Sequence, residues 1–238
     1  MILANLAHSD RLNHVVTLAG RGVREPADLG GRRVALPAGT NAAFLWYLFR
    51  AYHGLEAEAV TLIDAAPSRL GDLLLAGEAD AAVLWEPWTS RLRARAGEAL
   101  RVLPGSELYT AKWMLVTRRD LAQQRPKLCR AVLSAYRDAV RWIGRHRSAA
   151  LELYLARSTR RQDGLAEAWK GMLFDLSLDW TLLAGLQQQV EWAKAAGLMP
   201  AGLAPDLLAH IDAGPLRALA PERVHMPAGA LDQSETDP

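Results

Sequence analysis

Residues 60–85 read VTLIDAAPSRLGDLLLAGEADAAVLW, two short apolar runs on either side of an amphipathic stretch. Pro67 to Ala76 opens on a proline, places Leu70, Leu73 and Leu74 on one helical face and stops at Gly77-Glu78. Val60 to Ile63 and Asp80 to Trp85 are too short for helices and nearly all apolar, which suits strands covered on both faces. The same alternation occurs just upstream. Arg32 to Leu36 is a strand stopped by Pro37, and a helix follows to about His53, with Thr40 or Asn41 as its N-cap and Gly54 as its stop. Near-continuous apolar strands separated by amphipathic helices predict an α/β fold with a parallel sheet.

Outward from this block, Ile2 to Ala7 and Val15 to Ala19 read as strands, and Pro26 to Gly31 (PADLGG) is a turn-rich connector. Pro87 to Ala96 reads as a helix, Leu100 to Leu103 and Trp113 to Thr117 as strands. Beyond Thr117 the pattern is mostly helical. A long helix runs from Pro126 to about His146, with Leu128, Val132, Tyr136, Val140 and Ile143 at helical spacing. Arg130, Arg137, Arg141 and Arg145 fall on its other faces and read as a solvated surface. Further helices are expected over Ser148 to Ala156, Leu165 to Met172, Trp180 to Ala196 and Pro205 to His210. From Pro221 onward periodicity is lost, and a mobile tail over 221–238 is expected.

The chain has 238 residues, half of them hydrophobic and 23% charged, which excludes wholesale disorder and collagen-like structure. Twenty-eight Lys and Arg against 26 Asp and Glu leave a net charge of +2, which argues against nucleic acid as the main partner. A single cysteine, Cys129, excludes an intrachain disulfide and a Cys-rich metal site. No secretory pattern is legible after Met1. The longest uncharged stretch, Val34 to Phe49, is broken by Pro37, Gly39, Thr40 and Asn41 and reads poorly as a membrane span.

No HExxH, CxxC, GxSxG or GxxxxGK[ST] motif occurs, and the six histidines lack metal-ligand spacing, so neither a catalytic centre, a metal nor a cofactor is implied. Two segments carry other chemistry. In Ala35 to Phe44 (ALPAGTNAAF) a strand ends, a turn follows, and a helix starts at Thr40 and Asn41. The first amides of a helix lack intrahelical partners and sit at the positive end of its dipole. Gly39 admits a ligand to the backbone, the Thr40 hydroxyl and Asn41 amide add donors, and no acidic residue lies between Pro37 and Arg50. This composition suits a sulfonate, carboxylate, nitrate or phosphate, and an ordinary N-cap explains Thr-Asn equally well. In Ala76 to Trp88 (AGEADAAVLWEPW) a buried strand ends at Trp85-Glu86-Pro87-Trp88, at the carboxyl edge where open parallel sheets place their ligands. Trp85 and Trp88 are either a ligand wall or core packing, and Glu86 either meets a ligand amine, braces a hinge or caps the next helix.

Taken in order, these motifs resemble the substrate-binding proteins of nitrate/sulfonate/taurine-type ABC importers. Pro26, Asp28, Leu29, Gly31, Arg33 and Val34 match the family's first strand motif and Gly39-Thr40 its helix start. Ala76-Gly77-Glu78, Asp80-Ala81 and Trp85-Glu86-Pro87 match its later turn and strand end. Tyr109 to Thr117 (YTAKWMLVT) looks like the return into the first lobe. The resemblance implies a bilobal type II periplasmic-binding-protein-like fold. Residues 1–19 would supply strands of the first lobe and hinge, 20–109 a complete parallel-sheet second lobe, and 110–220 a mostly helical return to an incomplete first lobe. Carried over by position, Gly39, Thr40 and Asn41 form the anion-binding turn, Trp85 and Glu86 the cleft wall or hinge, and Tyr109 lies near the second crossing. By the same resemblance Ser9 would face the cleft from the opposite side.

The resemblance further implies capture of a small anionic or zwitterionic solute by hinge closure and delivery to an inner-membrane ABC permease, with periplasmic localisation. The family's opening β-α-β-α segment and export signal are not matched, so the chain is expected to be a fragment or to need a second chain. Ile2 to Ala7 and the strand near Trp113 would then lose sheet neighbours and expose apolar surface. Alternatives on the same scaffold are an enzyme of pyrimidine-precursor synthase or dehydratase type and a sensory ligand-binding module. The synthases carry a Cys-rich motif, which the lone Cys129 does not match.

Overall fold

A computed structural model describes residues 1–158 and 164–226. In chain order its strands are β1 (Ile2–Ser9), β2 (Asn13–Leu18), β3 (Arg33–Leu36), β4 (Thr61–Asp64), β5 (Ala81–Trp85), β6 (Leu100–Val102), β7 (Ala111–Val116), β8 (Leu173–Asp179) and β9 (Val224–His225). Its helices are α1 (Asn41–His53), α2 (Pro67–Ala76), α3 (Trp88–Ala96), α4 (Arg119–Gln124), α5 (Pro126–Arg145), α6 (Arg147–Arg157), α7 (Leu165–Gly171), α8 (Trp180–Ala195) and α9 (Gly214–Leu219). The chain divides into two compact units. One comprises Met1–His8, Lys112–Ala150 and the chain from Leu173 onward; the other comprises Ser9–Ala111 and Leu151–Met172.

The second of these holds a five-stranded sheet in the order β4-β3-β5-β2-β6. β3 pairs in parallel with β4 and β5, as the alternating pattern requires, and α1 and α2 are the crossovers. The sheet is not wholly parallel: β2 runs antiparallel to β5 and β6. The reason lies in the connector. Between β2 and β3 stands a 3-10 turn, Pro26–Leu29, rather than a crossover helix, so these strands cannot form a βαβ pair. Val16, Ala35, Leu70, Leu74, Ala82, Leu84 and Leu92 form the core under α2 and α3. Phe44, Leu45, Trp46 and Phe49 are buried along α1, which packs on β5 and β2. The expected boundaries at 20 and 109 shift accordingly: β2 is a strand of this sheet, and Leu151–Met172 groups with the same unit.

The turn between α2 and β5 explains the Ala-Gly-Glu-x-Asp-Ala spelling. Gly77 ends α2 at φ 77 and its amide caps Leu73 and Leu74. Asp80 accepts the Arg33 amide at 2.9 Å and binds the Arg33 guanidinium through both oxygens, at 3.1 and 3.2 Å. Burial opposes the Asp80 charge, but the Arg33 hydrogen bonds outweigh it and hold the carboxyl below its ordinary pKa. A Cβ on Gly77 would stand 2.4 Å from an Arg21 nitrogen, and Arg21 covers the carbonyls of Leu74 and Leu75 at 2.9 and 3.1 Å. Gly77→Ala is therefore expected to cost about 2 kcal/mol, mostly from the left-handed backbone, with the displaced arginine adding to it. Urea unfolding checks this, and a loss below half that value would show that the turn relaxes.

The other unit is mostly helical, as expected, around a four-stranded sheet, β7-β1-β8-β9, in which β1 and β7 were expected and β8 and β9 were not. β8 pairs antiparallel with β1, Asn5 opposite Ser177 and His8 opposite Leu173. β1 thus keeps neighbours on both sides, contrary to the expectation for Ile2 to Ala7. β7 does lie at an edge, with Trp113 42% and Val116 63% exposed. In α5 only Cys129 and Leu133 are buried, and Leu128, Val132 and Tyr136 form an exposed apolar row. Arg130, Arg141 and Arg145 are exposed, as read from the sequence, while Arg137 is partly covered and donates to Ser134 Oγ at 3.2 Å. Leu3, Leu133, Leu176, Leu178, Leu182, Ile211 and Leu216 fill the core. Of the expected helix at Pro205 to His210 only a 3-10 turn, Leu208–His210, forms, tied by Asp206 accepting the Ala209 amide at 3.2 Å. The expected tail is ordered at its start, because Val224 and His225 pair in parallel with Leu178 and Asp179 and Met226 is buried. Residues 227–238 of that tail lie outside the described residues.

Candidate functional site

Because β3, β4 and β5 run parallel, their ends at Leu36, Asp64 and Trp85 lie at one edge of the five-stranded sheet. β2 begins at that edge, with Asn13 opposite Trp85, and β6, antiparallel to β2, ends there. The 3-10 turn Ser106–Leu108 follows β6 and is fixed by Ser106 Oγ, which accepts the Val15 amide at 3.0 Å and donates to Leu103 at 2.9 Å. The Gly39-Thr40-Asn41 turn, the Trp85-Glu86 corner, the Ser9 to Leu12 lead and the loop before Tyr109 all belong to this one edge.

At the β3–α1 turn, Gly39 takes φ 66 and Thr40 caps α1, its Oγ1 accepting the Ala42 amide at 3.3 Å. The same hydroxyl donates to the Pro37 carbonyl at 2.7 Å, so its proton is committed and the donors expected from this turn reduce to backbone amides and the exposed Asn41 side chain. A second correction is electrostatic. Asp64, at the end of β4, accepts the Ala38 amide at 2.9 Å and places a carboxylate against the turn, which the sequence alone read as free of acid.

At the β5 corner the Glu86 amide donates to Leu12 at 2.9 Å, and the Glu86–Pro87 peptide is cis. Glu86 Oε2 accepts the Ser90 amide in the first turn of α3 at 3.1 Å, which is the helix-capping role. Burial raises the Glu86 pKa; Ser90 and Arg93 lower it and Glu167 adds to the rise, leaving it above the ordinary carboxylate value. Trp88 packs on the core beneath α2 and α3. Tyr109 is buried edge-on against Phe44 of α1, with ring centroids 5.1 Å apart, so here it is a packing residue, and burial pushes its phenol pKa up. Ser9 is wholly buried, its Oγ accepting the Arg11 amide at 3.1 Å.

A cavity of about 960 Å³ opens beside the corner, entirely within this unit. Of the seven residues nominated from sequence, Glu86 lines it; Ser9, Gly39, Thr40, Asn41, Trp85 and Tyr109 do not. The carboxylates of Asp10, Glu107 and Glu167 join Glu86, and Arg11, Arg93 and Lys170 supply the opposite charge. His14 also lines it; burial, then the Arg93 charge, lowers its pKa to about 4, so the ring is neutral at pH 7, with Nδ1 3.1 Å from Thr89 Oγ1. Sequence reading missed these residues. Arg11 lies in the β1–β2 link and His14 in β2, while Glu167 and Lys170 come from α7, roughly eighty positions beyond Glu86; no periodicity joins them. Among the described residues no group of three or more His, Cys, Asp or Glu could hold a metal.

A family model described as NMT1/THI5-like matches residues 3–150, the stretch that supplies every loop of this sheet edge. The chain belongs to the NMT1/THI5-like family. Among curated relatives, a putative binding protein of Brucella abortus (strain 2308) is 21% identical over 138 residues, which cover 57% of this chain and 42% of the relative. A putative aliphatic sulfonates-binding protein of Bacillus subtilis (strain 168) is 26% identical over 145 residues, covering 60% and 43%. The chain therefore spans less than half the length of these relatives. Among solved structures, a putative sulfonate ABC transporter's periplasmic sulfonate-binding protein, SsuA from Methylobacillus flagellatus KT, has TM-score 0.74 at 16% identity. The match covers 97% of this chain and 73% of that one. The desulfurization enzyme DSZB has TM-score 0.68 at 18% identity, covering 93% and 79%. At these identities the likeness establishes the fold of this NMT1/THI5-like chain: the α/β architecture of the SsuA-type periplasmic binding proteins. Among the described residues no helix of this family member is long and apolar enough to cross a membrane.

Proposed function

We propose that the chain is solute-binding material of an ABC importer, capturing a small zwitterionic or anionic solute and presenting it to an inner-membrane permease from the periplasm. The observation that carries this is the convergence of the Gly39-Thr40-Asn41 turn and the Glu86 corner on one sheet edge beside a cavity lined by charges of both signs. Backbone amides at the start of α1 suit a sulfonate or carboxylate. Asp64 beside them and Glu86 in the cavity suit an amine on the same molecule, so an aminosulfonate or amino acid fits this edge better than nitrate does. Names of relatives that bind sulfonates support the same class. Closure onto such a ligand needs contacts on both sides of it, since only differential contact shifts an open–closed equilibrium.

Calorimetry with taurine, ethanesulfonate, alanine and nitrate tests the class. Thr40→Asp keeps an N-cap, so α1 stays folded, while a second carboxylate joins Asp64 at the turn. The expected loss of affinity for the sulfonates is about a hundredfold, from like-charge repulsion. Unchanged affinity would remove this turn from the site.

The likeness to DSZB favours a second reading, an enzyme acting on a sulfur oxyanion. Cys129, however, is buried in the core of the four-stranded unit, and burial, then the charge of Asp212, pushes its thiol pKa up, the opposite of a nucleophile's environment. Release of sulfite from an aryl sulfinate would favour the enzyme; binding without turnover favours the importer.

A further inference from the structure

We propose that the groove between α2 and α3 is a second binding pocket, for a small amphipathic organic anion seated on Arg91 and Arg95. The groove encloses about 320 Å³, at the small end for ligand sites, and lies across α3 from the charged cavity, sharing only Ala94 with it. Its walls divide by chemistry. Pro67, Leu84 and Leu92 are apolar, Ser68 is neutral and polar, and Arg91 and Arg95 are cationic; no acidic side chain lines it.

The decisive atom is Arg91 Nε. It is shut off from solvent and has no acceptor among the described residues. The Arg91 guanidinium lies 4.8 Å from the centre of the Trp88 ring, whose face stabilises the charge but supplies no oxygen to the N–H. A buried charged donor left without an acceptor is costly, and a small rotation of the Arg91 side chain, part of which already lines the groove, would turn this N–H to an anion seated there. Arg95 gives one nitrogen to Asp72 at 2.8 Å and keeps further donors at the groove. α3 starts at the carboxyl edge of a parallel strand, so its positive end lies within a turn of Arg91, while Arg95 stands in its last turn. Inorganic sulfate would leave the apolar wall unused, whereas a short-chain or aromatic carboxylate or sulfonate uses both halves.

The test is a titration of the full chain, labelled at arginine nitrogen, followed by NMR, with the Arg91 Nε–Hε resonance assigned by its absence in Arg91→Lys. Benzoate and butane-1-sulfonate are expected to move this resonance saturably, and butylammonium to leave it in place. Gly71 lines the groove, and a Cβ there would meet Leu92 and Arg95 at ordinary contact distances of 3.5 and 3.7 Å, so Gly71→Leu fills the pocket without straining its own backbone. That variant should bind at least about tenfold more weakly with unchanged circular dichroism. Thr40→Asp should leave the Arg91 response intact, which separates this pocket from the sheet-edge site. A resonance indifferent to both anions, or one that drifts without saturation and equally in Gly71→Leu, would overturn the proposal.

Discussion

Acidification from pH 7 to 4 is expected to remove about 3 kcal/mol of stability through His14 alone. In the native chain, burial and the Arg93 charge hold the ring's pKa near 4, against 6.5 for an unperturbed histidine. Above pH 6.5 the ring is neutral in both states and contributes nothing to the pH dependence. Between pH 6.5 and 4 the unfolded chain takes up a proton that the native chain refuses, so stability falls; below 4 both states are protonated and the loss levels off. At about 1.4 kcal/mol per unit, the displacement gives the stated figure. Glu86 works in the opposite sense, because its raised native pKa makes protonation favour the folded state, and part of the loss is offset at the acid end. Arg11, Arg93, Lys170, Asp10, Glu107 and Glu167 line the same cavity and complete its charge set. His14→Gln keeps a partner for Thr89 and removes the titration. The variant should be slightly less stable than the parent at pH 7 and more stable at pH 4, measured by urea unfolding across that range. Parallel curves for the two proteins would show that His14 titrates normally.

Leu178→Ala is expected to cost roughly 2–5 kcal/mol, since truncating a buried leucine removes its transfer energy and leaves a cavity. Leu178 is fully buried in β8, between β1 and β9, and belongs to the core with Leu3, Leu133 and Leu216. Leu203→Ala is the matched control: with 48% of its surface exposed, that leucine should cost no more than about half a kcal/mol. Denaturant midpoints for the pair decide the matter, and similar small shifts would mean that the four-stranded core tolerates the void.

The sequence-to-structure correspondence is closest where one period dominates. From Arg33 to Trp85 the strands and helices fall within a residue of their expected limits, and Thr40 and Gly54 cap α1 as read. Those signals are local: alternation, a capping hydroxyl, a glycine at positive φ. β8 escaped because LFDLSLD lies between two helical stretches, although Phe174, Leu176 and Leu178 do alternate and a strict two-residue count would have found it. The direction of β2 and the acid beside the Thr40 turn depend on strand neighbours, which no window of sequence contains. The Ala38–Asp64 bond forms because β4 lies next to β3, and it adds a carboxylate to a turn whose own residues carry no charge. Likewise Tyr109 and Ser9 were nominated by position along the chain, whereas their burial is a property of the packed loops.

The discontinuity of the five-stranded unit has a genetic consequence. Its sheet is encoded before Lys112, but α7, which carries Glu167 and Lys170, is encoded after the chain has passed through the other unit. An exchange of coding segments ending near Ala111 would transmit the strands without that charged wall. Inheritance of a complete cavity by recombination therefore requires two separate stretches of the gene to travel together.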